Sequence, residues 1–138
     1  MSDRKVLIDT NIWIYLYAKE PNEKFIRIRD VLADPSITII SSTQVLGEIF
    51  NVLVRKKLVK LDEAKEIITE MTTNLPIVEI DTPKVLKALE IHTRYKYSYW
   101  DSLILATALI TNCSQVYSED LQHGQKIENT VEIINPFL

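Results

Sequence analysis

Four acidic residues stand where a folded chain rarely spends a charge. Asp9 ends the apolar run Val6-Leu7-Ile8, and Glu48 sits inside the apolar helical pattern Val45-Leu46-Gly47-Glu48-Ile49-Phe50. Asp101 opens the apolar stretch Asp101-Ser102-Leu103-Ile104-Leu105-Ala106, and Asp120 follows Gln115-Val116-Tyr117-Ser118. Burying a carboxylate bare costs several kcal/mol unless a partner or a metal ion compensates. Four such groups without matching inward lysines point to a hard divalent cation. Oxygen-only donors suit Mg²⁺, which prefers octahedral coordination and keeps several of its waters.

The elements that must position these acids are legible from periodicity. Apolar, β-branched runs at Val6–Ile8, Ile37–Ile40, Ile77–Ile80, Val116–Ser118 and Val131–Ile134 predict five strands. Helical patterns at Asn11–Ala18, Asn22–Leu32, Thr43–Lys57, Asp62–Leu75, Pro83–Tyr95 and Tyr99–Thr111 separate them. Thr82-Pro83 reads as an N-cap followed by a first-turn proline, and Ser41-Ser42-Thr43-Gln44 offers several caps. Strands alternating with helices predict an α/β fold, a parallel sheet with helices on both faces. Ligands of such sheets bind beyond the carboxyl ends of the strands, where the strand order reverses. Asp9 and Asp120 follow the carboxyl ends of the first and fourth strands. Glu48 and Asp101 lie near the starts of helices that begin at that same edge. All four acids converge on one rim.

Each acid has a structural alternative. Asp9 could cap the helix that follows, although Thr10 and Asn11 could do so equally well. Glu48 shares a helix face with Val45 and Val52 and could be a solvated edge residue paired with Arg55 or Lys56. Ser98-Tyr99-Trp100-Asp101 has capping-box spacing, so Asp101 could serve its helix start. Glu119 competes with Asp120 for the fourth position. Gly47 is unusual in a helix interior, where glycine costs about 1 kcal/mol relative to alanine, and predicts the close approach of another backbone or of a substrate.

Bulk properties set the frame. The 138 residues, 46% hydrophobic and 25% charged, are expected to form a single domain over 1–138. The net charge of −3 leaves no global footprint for nucleic acid, so any such binding must be local. Local candidates for phosphate are Arg55, Lys56, Lys57, Lys60, Arg94 and Lys96, with His123 as a further contact. Tyr95, Tyr97, Tyr99 and Trp100 could stack unpaired bases or pack in a core or dimer. One cysteine, Cys113, and two histidines exclude a disulfide framework and a cysteine-based zinc site. No apolar run is long enough to span a membrane. Met1-Ser2-Asp3-Arg4-Lys5 leads into a strand rather than a signal-peptide core, so a cytoplasmic protein is expected.

The motifs Leu7-Ile8-Asp9-Thr10-Asn11-Ile12, Val45-Leu46-Gly47-Glu48-Ile49 and Tyr99-Trp100-Asp101-Ser102-Leu103-Ile104-Leu105-Ala106 resemble, in order, the three main motifs of PIN domains. Val116-Tyr117-Ser118-Glu119-Asp120-Leu121 resembles the fourth, more variable one. The whole chain is similar to single-domain VapC-type toxins. The resemblance implies a three-layer α/β/α fold with a parallel five-stranded sheet and a homodimer. It also implies a Mg²⁺- or Mn²⁺-dependent endoribonuclease, acting on RNA such as tRNA and inhibited by a cognate antitoxin. Asp9, Asp101 and Asp120 would ligate the metal, with Glu48 completing the site or orienting water. Thr10, Asn11 and Ser118 would hold the acids and waters by hydrogen bonds. Alternatives are a PIN nuclease of RNA processing and a non-catalytic PIN module binding nucleic acid or protein. A dehalogenase-type phosphatase would want an aspartate where Asn11 stands. Val52-Leu53-Val54 and Leu58-Val59 could form a dimer surface or simply core.

Overall fold

The structure is a computed structural model that describes residues 4–138. The lead-in residues Met1, Ser2 and Asp3 lie outside the described residues. The central strand β1 (Arg4–Ile8) is flanked by β2 (Ile37–Ser42) and β4 (Gln115–Tyr117). With β3 (Ile77–Val78), β5 (Lys126–Ile127) and β6 (Val131–Ile134), the sheet runs in the order β3-β2-β1-β4-β6-β5. Leu7 lies opposite Ile40 on one side and Val116 on the other, which fixes the register of the centre. Val6, Leu7 and Ile8 are all fully buried, although successive side chains of a strand point to opposite faces. Both faces of the centre are therefore covered, as a parallel sheet requires.

Helices α1 (Thr10–Ala18), α2 (Asn22–Leu32), α3 (Thr43–Arg55) and α4 (Leu61–Asn74) pack against one another in chain order or through α1 and α3. Helices α5 (Thr82–Tyr95) and α6 (Tyr99–Ile110) form a second group, with α6 lying on β1, β4 and β6. Every residue of α6 from Ser102 to Ala108 is buried, the signature of a helix packed on all sides. No helix among the described residues is long and apolar enough to cross a membrane.

The expected elements form, with instructive departures. β1–β4 and β6 are parallel, but β5 adds a sixth strand, antiparallel to β6. Its two residues carry no apolar run that periodicity could detect. The hairpin is made possible by Glu128 and Asn129, both at positive φ. β3 stops at Val78 rather than Ile80, and α3 ends at Arg55, with Lys57 at φ 54 just beyond it. The cap of α5 is Asp81 rather than Thr82: its carboxylate accepts the Lys84 N–H at 3.4 Å and pairs with the Lys84 ammonium at 3.1 Å. Pro83 still sits in the first turn, where a missing N–H costs nothing. Leu53 is fully buried, and Val54, Leu58 and Val59 pack against the core, so that segment is largely interior.

Candidate active site

The strand order reverses between β1 and β4, and the crevice beyond their carboxyl ends is where an open α/β sheet binds ligands. Ladder bonds continue past the strands there: Asp9 N–H donates to Tyr117 O at 2.8 Å, and Ser118 N–H to Ile134 O at 2.9 Å. A cleft of about 240 Å³ opens at this point. It is lined by Asp9, Thr10, Asn11, Glu48, Asn51, Val52, Asp101 and Asp120. The fold thus gathers all four acids of the rim, together with Thr10 and Asn11.

Asp9 is both cap and cleft residue. Its Oδ1 accepts the Thr10 N–H at 2.7 Å at the start of α1, while Oδ2 accepts the Ser118 hydroxyl at 2.9 Å. Capping the helix therefore does not remove it from the cleft. It is only 7% exposed, and this burial pushes its carboxyl up to about 6. The bonds from Ser118 and Thr10 oppose that rise, whereas the charges of Asp101 and Glu48 add to it.

Glu48 stands little more than a turn into α3. Its Oε1 accepts the Thr10 hydroxyl at 2.6 Å, and its Oε2 accepts the Gln44 amide at 3.3 Å. Neither Arg55 nor Lys56 pairs with it among the described ion pairs. Asp101 occupies the first turn of α6, whose cap is Ser98: the Asp101 N–H donates to the Ser98 hydroxyl at 3.1 Å. The capping role of this segment thus belongs to the Ser98 side chain and the Asp101 backbone. The half-buried Asp101 carboxyl is raised, first by desolvation and then by the charges of Asp120 and Glu48, against a hydrogen bond with Ser98. Asp120 is exposed; its Oδ2 accepts the Asn11 amide, and its N–H donates to the Ser118 hydroxyl at 3.2 Å. Ser118 thus links Asp9 to Asp120 from beneath.

Glu119 turns the other way. It pairs with Lys24 and accepts the Tyr15 hydroxyl, away from the cleft. Burial would raise its carboxyl, but the bonds from Lys24 and Tyr15 outweigh it and hold the group below the usual glutamate range. The rim position belongs to Asp120.

The cleft's electrostatics favour a cation. None of the ion pairs among the described residues includes Asp9, Glu48, Asp101 or Asp120. Four like charges face one another with only neutral hydrogen-bond donors beside them. No three His, Cys, Asp or Glu side chains among the described residues close into a ready-made metal cage. An open set of carboxylates still suits a hard ion that retains water ligands.

Two cleft neighbours escape a sequence reading. Gln44 donates through one amide nitrogen to Glu48 and, at 3.1 Å, to the Trp100 carbonyl, tying α3 to the start of α6. Asn51 lies on the cleft wall. Their spacing of four and three residues from Glu48 on one helix was the available signal. Gly47 does not meet another backbone as expected: a Cβ there would find nothing within 4 Å. The basic residues Arg55, Lys56, Lys57, Lys60, Arg94 and Lys96 are exposed but do not line the cleft. Tyr95 and Tyr97 spend their hydroxyls on the segment around β5, accepting from Glu128 N–H at 2.9 Å and Gln122 N–H at 3.2 Å. His123 Nδ1 accepts the Asn135 N–H at 2.9 Å.

Comparison with known proteins agrees with this architecture. The Mycobacterium tuberculosis toxin VapC20, which cleaves the sarcin–ricin loop, superposes with a TM-score of 0.69 at 18% identity, over 83% of this chain and 89% of its own. VapBC-1 of nontypeable Haemophilus influenzae gives 0.70 at 17% identity, over 97% and 99%. FitAcB of Neisseria gonorrhoeae gives 0.67 at 20% identity, over 96% and 98%. At these identities the likeness is one of fold. No sequence among the curated proteins matches the chain. The sequence model of the PIN domain, however, matches residues 6–126, nearly the whole length. The chain belongs to the PIN domain family.

Proposed function

We propose that the protein is a metal-dependent endoribonuclease, the toxin of a VapBC-type toxin–antitoxin pair, working as a single-domain chain in a homodimer. The observation that carries this reading is the cleft in which four carboxylates meet without a cationic side chain. A purely structural site would neutralise or disperse such charge, because each buried carboxylate costs stability. Asp9, Asp101 and Asp120 would hold Mg²⁺ or Mn²⁺, with Glu48 completing the set or orienting the attacking water. When bound, the ion would lower the pKa of water and relieve charge on the phosphate.

In hydrolysis, water oxygen bonds to phosphorus while one phosphorus–ribose oxygen bond breaks; the water gives up a proton, and the departing ribose oxygen keeps the bond's electron pair and takes up a proton from solvent. The chain's own contribution is position. Thr10 fixes one oxygen of Glu48, Ser118 fixes Asp9, and Asn11 fixes Asp120, so three acids are held by neutral donors that leave their charge intact. Gln44 ties the helix of Glu48 to the helix start of Asp101. The antitoxin partner is supported by the complexes that share the fold, among them VapBC2 of Rickettsia felis bound to promoter DNA. A cationic segment entering the acid cleft would be the simplest inhibitor.

The test is cleavage of a total small-RNA pool by partner-free protein in Mg²⁺, Mn²⁺ and chelator, beside Asp101→Asn. Discrete, metal-dependent cuts that the variant loses are expected. Cutting by Asp101→Asn at the normal rate would overturn the assignment. Absence of both cutting and calorimetric metal binding would favour a non-catalytic module.

A further inference from the structure

Beside the acid cleft lies a second, larger groove of about 440 Å³, bounded by Gln44, Gly47, Asn51, Ile80, Trp100 and Leu103. It shares Glu48 and Asn51 with the cleft, so the two form one continuous surface. Trp100, the residue before Asp101, is 61% exposed, an unusual placement for an indole in a well-packed chain. It is nonetheless held in place: Tyr99 meets it edge-on, with ring centroids 5.0 Å apart at 76°, and its carbonyl accepts the Gln44 amide. Leu103 and Ile80 add apolar surface. The missing side chain at Gly47 keeps the groove open, since a Cβ there would project into free space.

At the seam the Glu48 carboxylate is occupied by Thr10 and Gln44, which leaves Asn51 as the neutral polar side chain there. The exposed Asn51 forms no side-chain hydrogen bond among the described residues, so its donor and acceptor are available where groove and cleft meet. No lysine or arginine lines the groove, which makes it a poor phosphate site. A flat, neutral heterocycle with hydrogen-bonding edges matches it well. Unpaired bases stack on aromatic side chains and are read by amides.

We propose that this groove receives one unpaired base of the RNA, stacked on Trp100 with an edge against Asn51. The adjoining phosphate then falls in the acid cleft, and the groove selects which bond is cut. The proposal rests on the nuclease reading, but its test does not need cleavage. Affinity for a labelled single-stranded RNA of mixed sequence is measured by anisotropy with Ca²⁺ in place of Mg²⁺, so that the phosphate does not meet bare carboxylates. The proteins compared are wild type, Trp100→Ala, Trp100→Phe and Gly47→Leu. Gly47→Leu fills the groove from an exposed helix position without disturbing the core.

Weakening of about tenfold is expected for Trp100→Ala and Gly47→Leu, and near-wild-type affinity for Trp100→Phe, whose ring still stacks. In Mg²⁺ the first two should also shift the pattern of cuts. Equal affinities across the series, or no measurable binding by wild type, would overturn the proposal. So would light scattering in which Trp100→Ala or Gly47→Leu turns a dimer into a monomer without RNA, because the groove would then be covered by a second copy. The two readings separate cleanly. Metal-dependent cutting lost in Asp101→Asn, with equal affinities, would remove the base site alone. Absence of cutting with the expected affinity losses would keep the base site and remove the nuclease.

Discussion

Glu119 and Asp120 are adjacent in the chain, yet they belong to opposite kinds of surroundings. Glu119 is neutralised: Lys24 pairs with it, and the same ammonium lies 4.5 Å from the Tyr15 ring centre and 4.9 Å from that of Phe137. Asp120 faces other acids and receives only the amide of Asn11 and its own backbone's link to Ser118. The contrast holds more widely. Asp34, with Ser36 and Arg4, and Asp81, with Lys84, are held below the ordinary aspartate range by their hydrogen bonds and charges. Asp9 and Asp101 are pushed above it, chiefly by burial. Where carboxylates serve the fold, the chain gives them a cation; at the rim it withholds one. That asymmetry is what a site costing stability for function would show.

The comparison can be broken most decisively at Asp101. Asp101→Asn should lower metal-dependent cleavage by about 10²–10³-fold, the scale of losing one preorganised electrostatic contact in a transition state. Its melting temperature should hold or rise, because a like charge leaves the rim. A large loss of stability would mean that Asp101 had been structural.

A second contrast lies in the response to added ion. Mg²⁺ at about a hundredfold over its dissociation constant should raise the melting temperature by roughly 5–10 °C through binding linkage. The double variant Asp9→Asn/Asp101→Asn should show almost no shift. An equal shift in both proteins would place the ion away from the rim.

The two groups of acids should also respond oppositely to pH. Asp9 holds its proton more tightly folded, at about 6, than an ordinary aspartate at 3.8. Its contribution therefore favours folding below pH 3.8 and is lost as pH rises through about 6, an effect of about 2–3 kcal/mol. Glu119, whose carboxyl is lowered, contributes stability at neutral pH that is lost as pH falls. In chelator, Asp9→Asn should lessen the decline expected of wild-type stability between pH 4 and 6.5, leaving the smaller part due to Asp101. If the variant keeps the same slope, Asp9 is not the group responsible.

The smallest effect is expected at the ion pair. Glu119→Gln should destabilise by about 1 kcal/mol, since both partners keep some contact with solvent. Its cleavage rate should stay within about twofold of wild type. A loss of cleavage matching that of Asp101→Asn would return Glu119 to the site.

The sequence by itself determined the alternation of strands and helices, because the periodicity of apolar residues is local and survives in one dimension. It also determined that Asp9, Glu48, Asp101 and Asp120 reach one edge, since a parallel sheet puts every strand's carboxyl end, and the helix starts that follow, on the same side. Ser42 and Ser98 as caps were legible for the same local reason. The two-residue β5 was not, because it exists only by pairing with β6.

Tertiary structure alone decided the rest. Asn11 meets Asp120, and Ser118 meets Asp9, each across 109 positions of chain. Lys24 captures Glu119 across 95. No local pattern separates Glu119 from Asp120, and none distinguishes the exposed Trp100 from Tyr95 and Tyr97, whose hydroxyls are taken up by distant backbone. Those choices depend on which side chains the folded sheet and helices bring within hydrogen-bonding reach, a property of three-dimensional distance that sequence spacing does not carry.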